Sequence, residues 1–495
     1  MFRFNNPDAL LVLMLTVAAF CVLRAIEKDA SAWWLPLAGV AVGFGFLAKM
    51  MQAFLVLPAF GVVYLLAAHG SWRARLGRSV AAVVAVVVSA GWYLALVAVW
   101  PADSRPYIGG SQHNSVLELA LGYNGLGRLT GDETGGLGNT NFDAGWDRLF
   151  AQQMGGQIAW LLPAAVLLGL AGLWVTRKAP RTDRVRAALL LWLGWLVVTG
   201  VVFSFSAGIL HSYYTVALAP AIAGAIGVGG GALWRRRSDR RVAGVLAATI
   251  LVTAAAAWVL LRRTPDWLPW LAPVVAVAGV VAAALILLSG RLTRSAAALA
   301  ATFAVVVGVA GPTAYSLATV STAQSGFLPS AGPSGAGFPH GPGSSQGRPG
   351  GNFGGPDGNR GGGTAAGGPP MRGFAAAKPG ANLVAALGEN SGDYTWAAAV
   401  ITSDSAATYQ LATGAPVMAL GGYNGTDPAP TLEQFQTYVS QGKIHYFIDG
   451  GTVQRHGGGA DTGGSRAATD IAEWIRATFT PRTIDGVTVY DLTDR

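Results

Sequence analysis

A carboxylate, a lysine, an arginine and a set of aromatic hydroxyls stand out in a chain otherwise poor in charge. Asn5, Asn6 and Asp8 head the first apolar run, and Lys49 and Gln52 lie between the second and third. Arg105, Tyr107, His113, Asn114 and Glu118 sit in a loop over 101–156, and His211, Tyr213 and Tyr214 fall between the sixth and seventh runs. Brought together, Lys49 and Arg105 would hold phosphate oxygens through charge-assisted hydrogen bonds. Asp8 would orient or deprotonate an acceptor hydroxyl. Such a set suits a substrate with an anionic head and a lipid tail. Each residue also has a plainer reading: Asp8 behind Asn6 and Pro7 as a helix start that complements the dipole, Lys49 as a snorkelling cation, Tyr213 and Tyr214 as an aromatic belt. His113 and His211 have no second His or carboxylate at ligand spacing, so no metal site is read from them.

The elements that must position these residues follow from composition. Of 495 residues, 52% are hydrophobic and 12% charged, about half the charge of an ordinary soluble domain. The apolar residues gather in runs of about 20, the length a helix needs to cross a hydrocarbon layer of ~30 Å. Ten spans are predicted, over 9–26, 32–48, 53–68, 79–100, 157–175, 187–205, 213–233, 242–261, 268–289 and 295–316. The single cysteine, Cys21, lies inside the first of them, which excludes a disulfide framework.

Net charge is +9, but it is unevenly spread: 12 acidic and 6 basic residues lie beyond position 380, a net of −6, leaving +15 for the rest. The positive charge is clustered between apolar runs, at Arg73/Arg75/Arg78, Arg177–Arg186, Arg235–Arg241 and Arg291/Arg294. These read as cytoplasmic loops and not as a nucleic-acid stripe. Alternation of spans then puts both chain ends, and all the candidate residues above, outside. Arg262 and Arg263 fall on the wrong side of this scheme.

Residues 331–380 contain 18 Gly and 8 Pro and cannot bury enough apolar surface to offset chain entropy. Three regions result: 1–320 as the membrane domain, 321–380 as a disordered linker and 381–495 as a soluble domain. In the last, strands are expected at 397–402, 416–420 and 444–448, helices at 404–413, 431–442 and 466–478, and a hairpin turn at 484–487, which implies a small, largely parallel α/β domain. Asp404, Asp427 and Asp449 follow its strands, where such sheets place ligands, though turn-forming is the commoner role of such residues. Gly122, Gly125 and Gly127 lack the strand and Lys-Ser/Thr context of a phosphate loop, and Asn424-Gly425-Thr426 matches a glycosylation sequon, a pattern common by chance.

Several stretches together resemble a known family. Phe4-Asn5-Asn6-Pro7-Asp8, Gly43-Phe44-Gly45-Phe46-Leu47-Ala48-Lys49, Arg105-Pro106-Tyr107-Ile108-Gly109-Gly110-Ser111, Gly122-Tyr123-Asn124-Gly125-Leu126-Gly127-Arg128 and His211-Ser212-Tyr213-Tyr214 are similar to the polyprenyl-phosphate-sugar-dependent glycosyltransferases of the protein O-mannosyltransferase and aminoarabinose-transferase type, with the multi-spanning GT-C fold. Gly414–Gly425 is similar to the soluble C-terminal domain of bacterial mannosyltransferases of this kind.

The resemblance implies a sugar, mannose or similar, moved with inversion from a polyprenyl-phosphate carrier to a glycan, lipid or protein acceptor outside the plasma membrane of a bacterium. It places Asp8, with Asn6 beside it, near acceptor and sugar, Lys49 on the lipid phosphate, and Tyr213 and Tyr214 in the same pocket. Tyr107, His113 and His211 join Arg105 as expected substrate contacts. No cofactor is firmly implied; a divalent cation at the phosphate is the one addition this chemistry accommodates. The partners are membrane lipids and the two substrates, with no nucleic acid. The family's best catalytic carboxylate lies in an outer loop upstream of the Asp8 segment, so about three spans are expected to be missing before Met1, which leaves open whether the chain as given is an active enzyme or an inactive fragment. The alternatives are a transporter, which would need polar residues midway along several spans, and a non-catalytic scaffold with a glycan-binding C-terminal domain.

Overall fold

A computed structural model describes residues 6–102, 104–132, 134–135, 144–322, 330–333, 379–449 and 463–494. Asn5 and nearly all of the expected linker lie outside the described residues. Among the described residues the ten longest helices of the membrane domain are α1 (Asp8–Ala25), α2 (Trp34–Lys49), α3 (Leu57–Ala67), α4 (Trp72–Val99), α5 (Leu162–Val175), α6 (Arg184–Phe205), α7 (Ala219–Trp234), α8 (Arg240–Leu261), α9 (Leu271–Leu288) and α10 (Arg294–Ser321).

Among the described residues, nine helical stretches are long and apolar enough to span a membrane, one of them running from Trp34 to Ala67. That stretch is a hairpin. Met50 takes φ 45°, ψ −132° at the end of α2, Phe46 stacks on Phe54 with ring centroids 5.2 Å apart, and His69 Nδ1 lies 3.1 Å from Ile26 O. The chain therefore returns to the end where α1 finished, and Lys49 is left at the tip of the turn.

The two ends of the bundle are built differently. At one, Ser71, Asp183, Asp239 and Thr293 cap the starts of α4, α6, α8 and α10 with their side chains, satisfying amide groups that a helix cannot. At the same end Arg181 donates to Leu66 O and Ala68 O (2.8 and 2.9 Å), Arg236 to Val175 O (2.9 Å), and Glu27 pairs with Arg24 and Arg184. At the opposite end α3, α5 and α7 start on prolines after 3₁₀ turns, where a missing N–H costs nothing. All the basic clusters thus share one end, and Asp8, Lys49 and His211 share the other. Arg263, which the alternation of spans placed among the latter, donates to Phe150 O and Ala151 O (2.6 and 2.9 Å); its charge is spent on carbonyls.

Helices α2 and α4 meet over small residues. A Cβ on Gly39 would lie 2.3 Å from Ala82 O, and one on Gly43 would lie 1.9 Å from Ser89 Oγ. This Gly-x-x-x-Gly seam lets the backbones approach where burial from water gives no drive. Gly43→Leu is expected to force α2 from α4 at a cost of about 1–3 kcal/mol, read as a lower thermal midpoint in detergent; an unchanged midpoint refutes the close packing.

Beyond the bundle, α11 (Ala381–Gly388) precedes a five-stranded sheet of β1 (Trp396–Ile401), β2 (Val417–Leu420), β3 (Ile444–Asp449), β4 (Pro481–Ile484) and β5 (Val487–Asp491), in the order β2-β1-β3-β5-β4. β1 is parallel to β2 and β3, and β5 is antiparallel to β3 and β4. Helix α12 (Ser403–Thr413) packs with α11 on one face, through Leu383, Tyr409 and Val400. Helices α13 (Leu432–Ser440) and α14 (Ala467–Thr478) cover the other, through Phe435, Ile471 and Phe447. The expected strands and helices are present to within a few residues, α11 is additional, and the hairpin turns through Asp485 (φ 50°) and Gly486 (φ 78°).

Candidate active site

The centre of the site is an ion pair. Lys49 Nζ lies 2.7 and 2.6 Å from the two carboxylate oxygens of Asp8, whose side chain is wholly buried. The same Nζ sits 3.5 Å from the centroid of the Tyr214 ring and 5.2 Å from that of Tyr213. The sequence dictates each placement: Pro7 begins α1 so that Asp8 falls in the first turn, and the reversal at Met50 leaves Lys49 as the last residue of α2. Asn6 accepts from the Asp8 amide through Oδ1 at 2.7 Å, which fixes the start of the helix. His211 stacks on Tyr213 (5.6 Å) and meets Tyr214 edge-on (5.3 Å).

Arg128 completes the group and was not among the expected site residues, although it ends the Gly122–Arg128 stretch. Its guanidinium lies over Tyr123, 4.5 Å from the centroid, and donates to Ile209 O at 3.1 Å. The backbone around it is pinned to the segment before His211, with Ala207 N and Gly208 N donating to Leu129 O and Arg128 O, both at 3.0 Å. Gly208 permits this: a Cβ there would meet Gly127 O at 2.4 Å. Buried Arg148 holds the far side of the loop, donating to Phe203 O and Ser206 O (3.2 and 2.7 Å); inside a polar-looking loop it carried no sequence signal.

Arg105, Tyr107 and His113 are not brought to this cluster. Arg105 donates to Val97 O, to Trp100 O at 3.3 Å and to Asn114 O at 2.5 Å, closing the end of α4. Tyr107 donates to Ser111 O (2.6 Å), and its hydroxyl is held above its ordinary range mainly by burial. Glu118 accepts from the amides of Gln112 and His113 (2.8 and 2.9 Å). These residues build a self-braced turn, and that turn carries the C-terminal domain. Gly110 N donates to Asp427 Oδ2 at 2.9 Å. Gln112 donates to Thr426 O and accepts from Ser465 N (3.3 and 3.2 Å). Asn424 Nδ2 and Thr426 Oγ1 both donate to Gly135 O (3.2 and 2.6 Å), so the sequon asparagine is occupied by the junction.

Burial, then the positive charges of Arg128 and Lys49, push the His211 imidazole down to about 4. It is therefore neutral at physiological pH and serves as a packing group against Tyr213 and Tyr214. Because its folded value lies below the ordinary 6.5, the unfolded chain binds the extra proton between about 4 and 6.5, and stability falls as pH drops through that window. His211→Phe is expected to flatten that acid-side loss of thermal stability; an unaltered pH dependence refutes the assignment. Among the described residues no three His, Cys, Asp or Glu side chains gather.

The fold is that of a multi-spanning membrane protein with a buried polar site at one end of its helical bundle. Residues 1–98 match the family model described as dolichyl-phosphate-mannose-protein mannosyltransferase, and residues 383–478 match that of the C-terminal domain of the YkcB-like putative mannosyltransferases. Putative mannosyltransferase YkcB of Bacillus subtilis (strain 168) is 30% identical over 96% of this chain and 73% of its own length. Putative mannosyltransferase YycA of the same organism is 27% identical over 90% and 73%. The chain belongs to this YkcB family of mannosyltransferases. Among solved structures, that of ArnT from Cupriavidus metallidurans bound to undecaprenyl phosphate aligns over 99% of this chain and 75% of its own, with a TM-score of 0.44 and 16% identity. Membership of an enzyme family sets aside the transporter and scaffold readings.

Proposed function

We propose that this glycosyltransferase moves mannose or a similar hexose from a polyprenyl phosphate to a glycan, lipid or protein acceptor on the extracytoplasmic side of a bacterial plasma membrane. The observation that carries the reading is the buried Asp8–Lys49 pair at the bundle end opposite the basic clusters, flanked by Arg128. The opposite end, rich in arginine, resists translocation, which supports an outward-facing site and an outward C-terminal domain. In the absence of substrate, Lys49 neutralises Asp8. An incoming phosphate competes for the ammonium and, with Arg128, leaves the Asp8 carboxylate able to accept a proton. The acceptor hydroxyl then attacks the anomeric carbon, its proton passes to Asp8, and the bond from that carbon to the phosphate oxygen breaks. The polyprenyl phosphate leaves with the electron pair, its charge held by Lys49 and Arg128.

The test is transfer from undecaprenyl-phosphate-mannose to a manno-oligosaccharide by the purified chain in nanodiscs, with undecaprenyl phosphate titrated separately. Saturable binding that Lys49→Ala removes supports the reading. A chain that binds no polyprenyl phosphate overturns it.

A further inference from the structure

The C-terminal domain meets the membrane domain with its ligand-binding edge. In a sheet ordered β2-β1-β3, the chain leaves β1 towards β2 over one face and returns to β3 over the other, so the strand order switches beside β1. Open α/β sheets hold ligands in the crevice outside the carboxyl ends of the strands at such a switch. The junction with the membrane domain is made by the turn after β2 (421–427) and by the approach to α14 (463–465), both at that edge.

Three carboxylates follow these strands, and their fates differ. Asp427 accepts from Gly110 N. Asp449 holds Arg476 in a two-pronged pair at 2.8 and 2.7 Å. Asp404 Oδ2 is buried and, among the described residues, has no hydrogen-bond partner; burial holds its carboxyl above the ordinary range. Ser403 N donates to Gly422 O at 2.9 Å, which sets Asp404 beside the turn that presents Tyr423. That turn is tightly built: Gly421, Gly422 and Gly425 have φ of 71°, 65° and 78°.

Tyr423 remains 43% exposed, so it borders open space. Its phenol is driven above the ordinary range, first by partial burial and then by Asp404, Tyr123 and Tyr214 around it. Tyr123 also lies under the docked turn, with its ring 3.9 Å from where a Gly110 Cβ would be, and it carries Arg128 on its face. Tyr423, Tyr123 and Arg128 therefore stand close enough to influence one another electrostatically between the sheet and the group around Lys49.

We propose that Asp404 and Tyr423 form the outer half of a sugar-binding subsite, in which the carboxylate accepts from ring hydroxyls and the phenol bounds the pyranose. The C-terminal domain thereby roofs the site in the membrane. A carboxylate with an unused buried oxygen next to an aromatic ring is the chemistry that recognises a polyol: charge-assisted hydrogen bonds to hydroxyls and an apolar face for the ring carbons. A sugar linked to a phosphate held at Lys49 and Arg128 would project towards this edge, as would the sugar of a glycan acceptor. The inference rests on the glycosyltransferase reading, and the two are separable by experiment.

Undecaprenyl phosphate, undecaprenyl-phosphate-mannose and free mannotriose are titrated against the full chain in nanodiscs. The intact chain is expected to bind the mannosylated lipid about tenfold tighter than the bare lipid. Asp404→Asn should erase that difference while leaving affinity for undecaprenyl phosphate alone, with Tyr423→Phe intermediate. If the difference persists but mannotriose affinity drops tenfold, the subsite stands and takes the acceptor's sugar. Both variants binding all three ligands within twofold of the parent overturns the subsite and leaves the phosphate site intact. Failure of the intact chain to bind undecaprenyl phosphate overturns the underlying reading, and the subsite with it. Matching thermal midpoints of parent and Asp404→Asn confirm that folding is unaltered.

Discussion

Lys49→Ala is expected to abolish sugar transfer and also to destabilise the bundle, because Asp8 would be left as an uncompensated buried charge. Removing one partner of a buried pair costs about 3–5 kcal/mol. A loss of activity alone would therefore not separate a catalytic role from a structural one. The double variant Asp8→Leu/Lys49→Met does separate them, since replacing both charges with apolar groups of similar size is often neutral or stabilising. Its thermal midpoint should return to within a few degrees of the parent while undecaprenyl phosphate binding and transfer stay absent. Recovery of either function in the double variant would mean that the pair only holds α1 to α2. Asp8→Asn should behave differently again: it keeps the shape and the lysine, and is expected to retain lipid-phosphate binding while lowering transfer by 10²–10⁴-fold, the range attributed to a positioned general base.

The second large effect is expected at the junction between the two domains. Gly422→Val places a Cβ 2.0 Å from Asp427 Oδ2 at a residue with φ 65°, a conformation that a β-branched side chain scarcely adopts. The Asp427 bond to Gly110 N should break, and with it the alignment of the 421–427 turn over the 107–135 loop. Amide exchange should accelerate at Gly110 and Ser465, while β1 and β3, which lie in the core of their own domain, stay protected. Sugar transfer should fall at least tenfold if the domain roofs the site. Full activity with exchange accelerated at both amides would show that docking is dispensable for the reaction. Asp427→Asn, which keeps an acceptor oxygen, should show a weaker form of both effects.

Much of this architecture was legible because membrane segments are specified locally. Runs of apolar residues near the length of a bilayer and clusters of arginine between them are properties of contiguous sequence, and Ser71, Asp183, Asp239 and Thr293 are capping residues where the helices begin. The α/β domain was equally readable, since Asp485-Gly486 requires positive φ values and the strand and helix periods differ. Asp8, Lys49, His211, Tyr213 and Tyr214 were found as a set because each lies at the same end of its span.

The loop over 101–156 was legible only in part. Its arginines, tyrosine and histidine have the composition of a phosphate site, yet Arg105 is consumed by the carbonyls at the end of α4 and Tyr107 by Ser111 O. Arg128, of the same type and in the same loop, reaches the site. Nothing local distinguishes the two arginines; what separates them is that Gly208 lets the 127–131 backbone lie against the segment before His211, a contact between residues some eighty positions apart.

Sequence alone determined that the chain crosses a membrane many times, which end of each span carries reactive groups, and that a small α/β domain follows. These depend on hydrophobic length, charge distribution and turn chemistry, all summed over neighbours in the chain. Only the tertiary structure decided that Asp8 and Lys49 touch, that Arg128 rather than Arg105 stands near them, and that the C-terminal sheet docks on Gly110, Gln112 and Gly135 by the segments that follow its strands. Those outcomes depend on which backbones can approach one another, and that is settled by packing between distant segments.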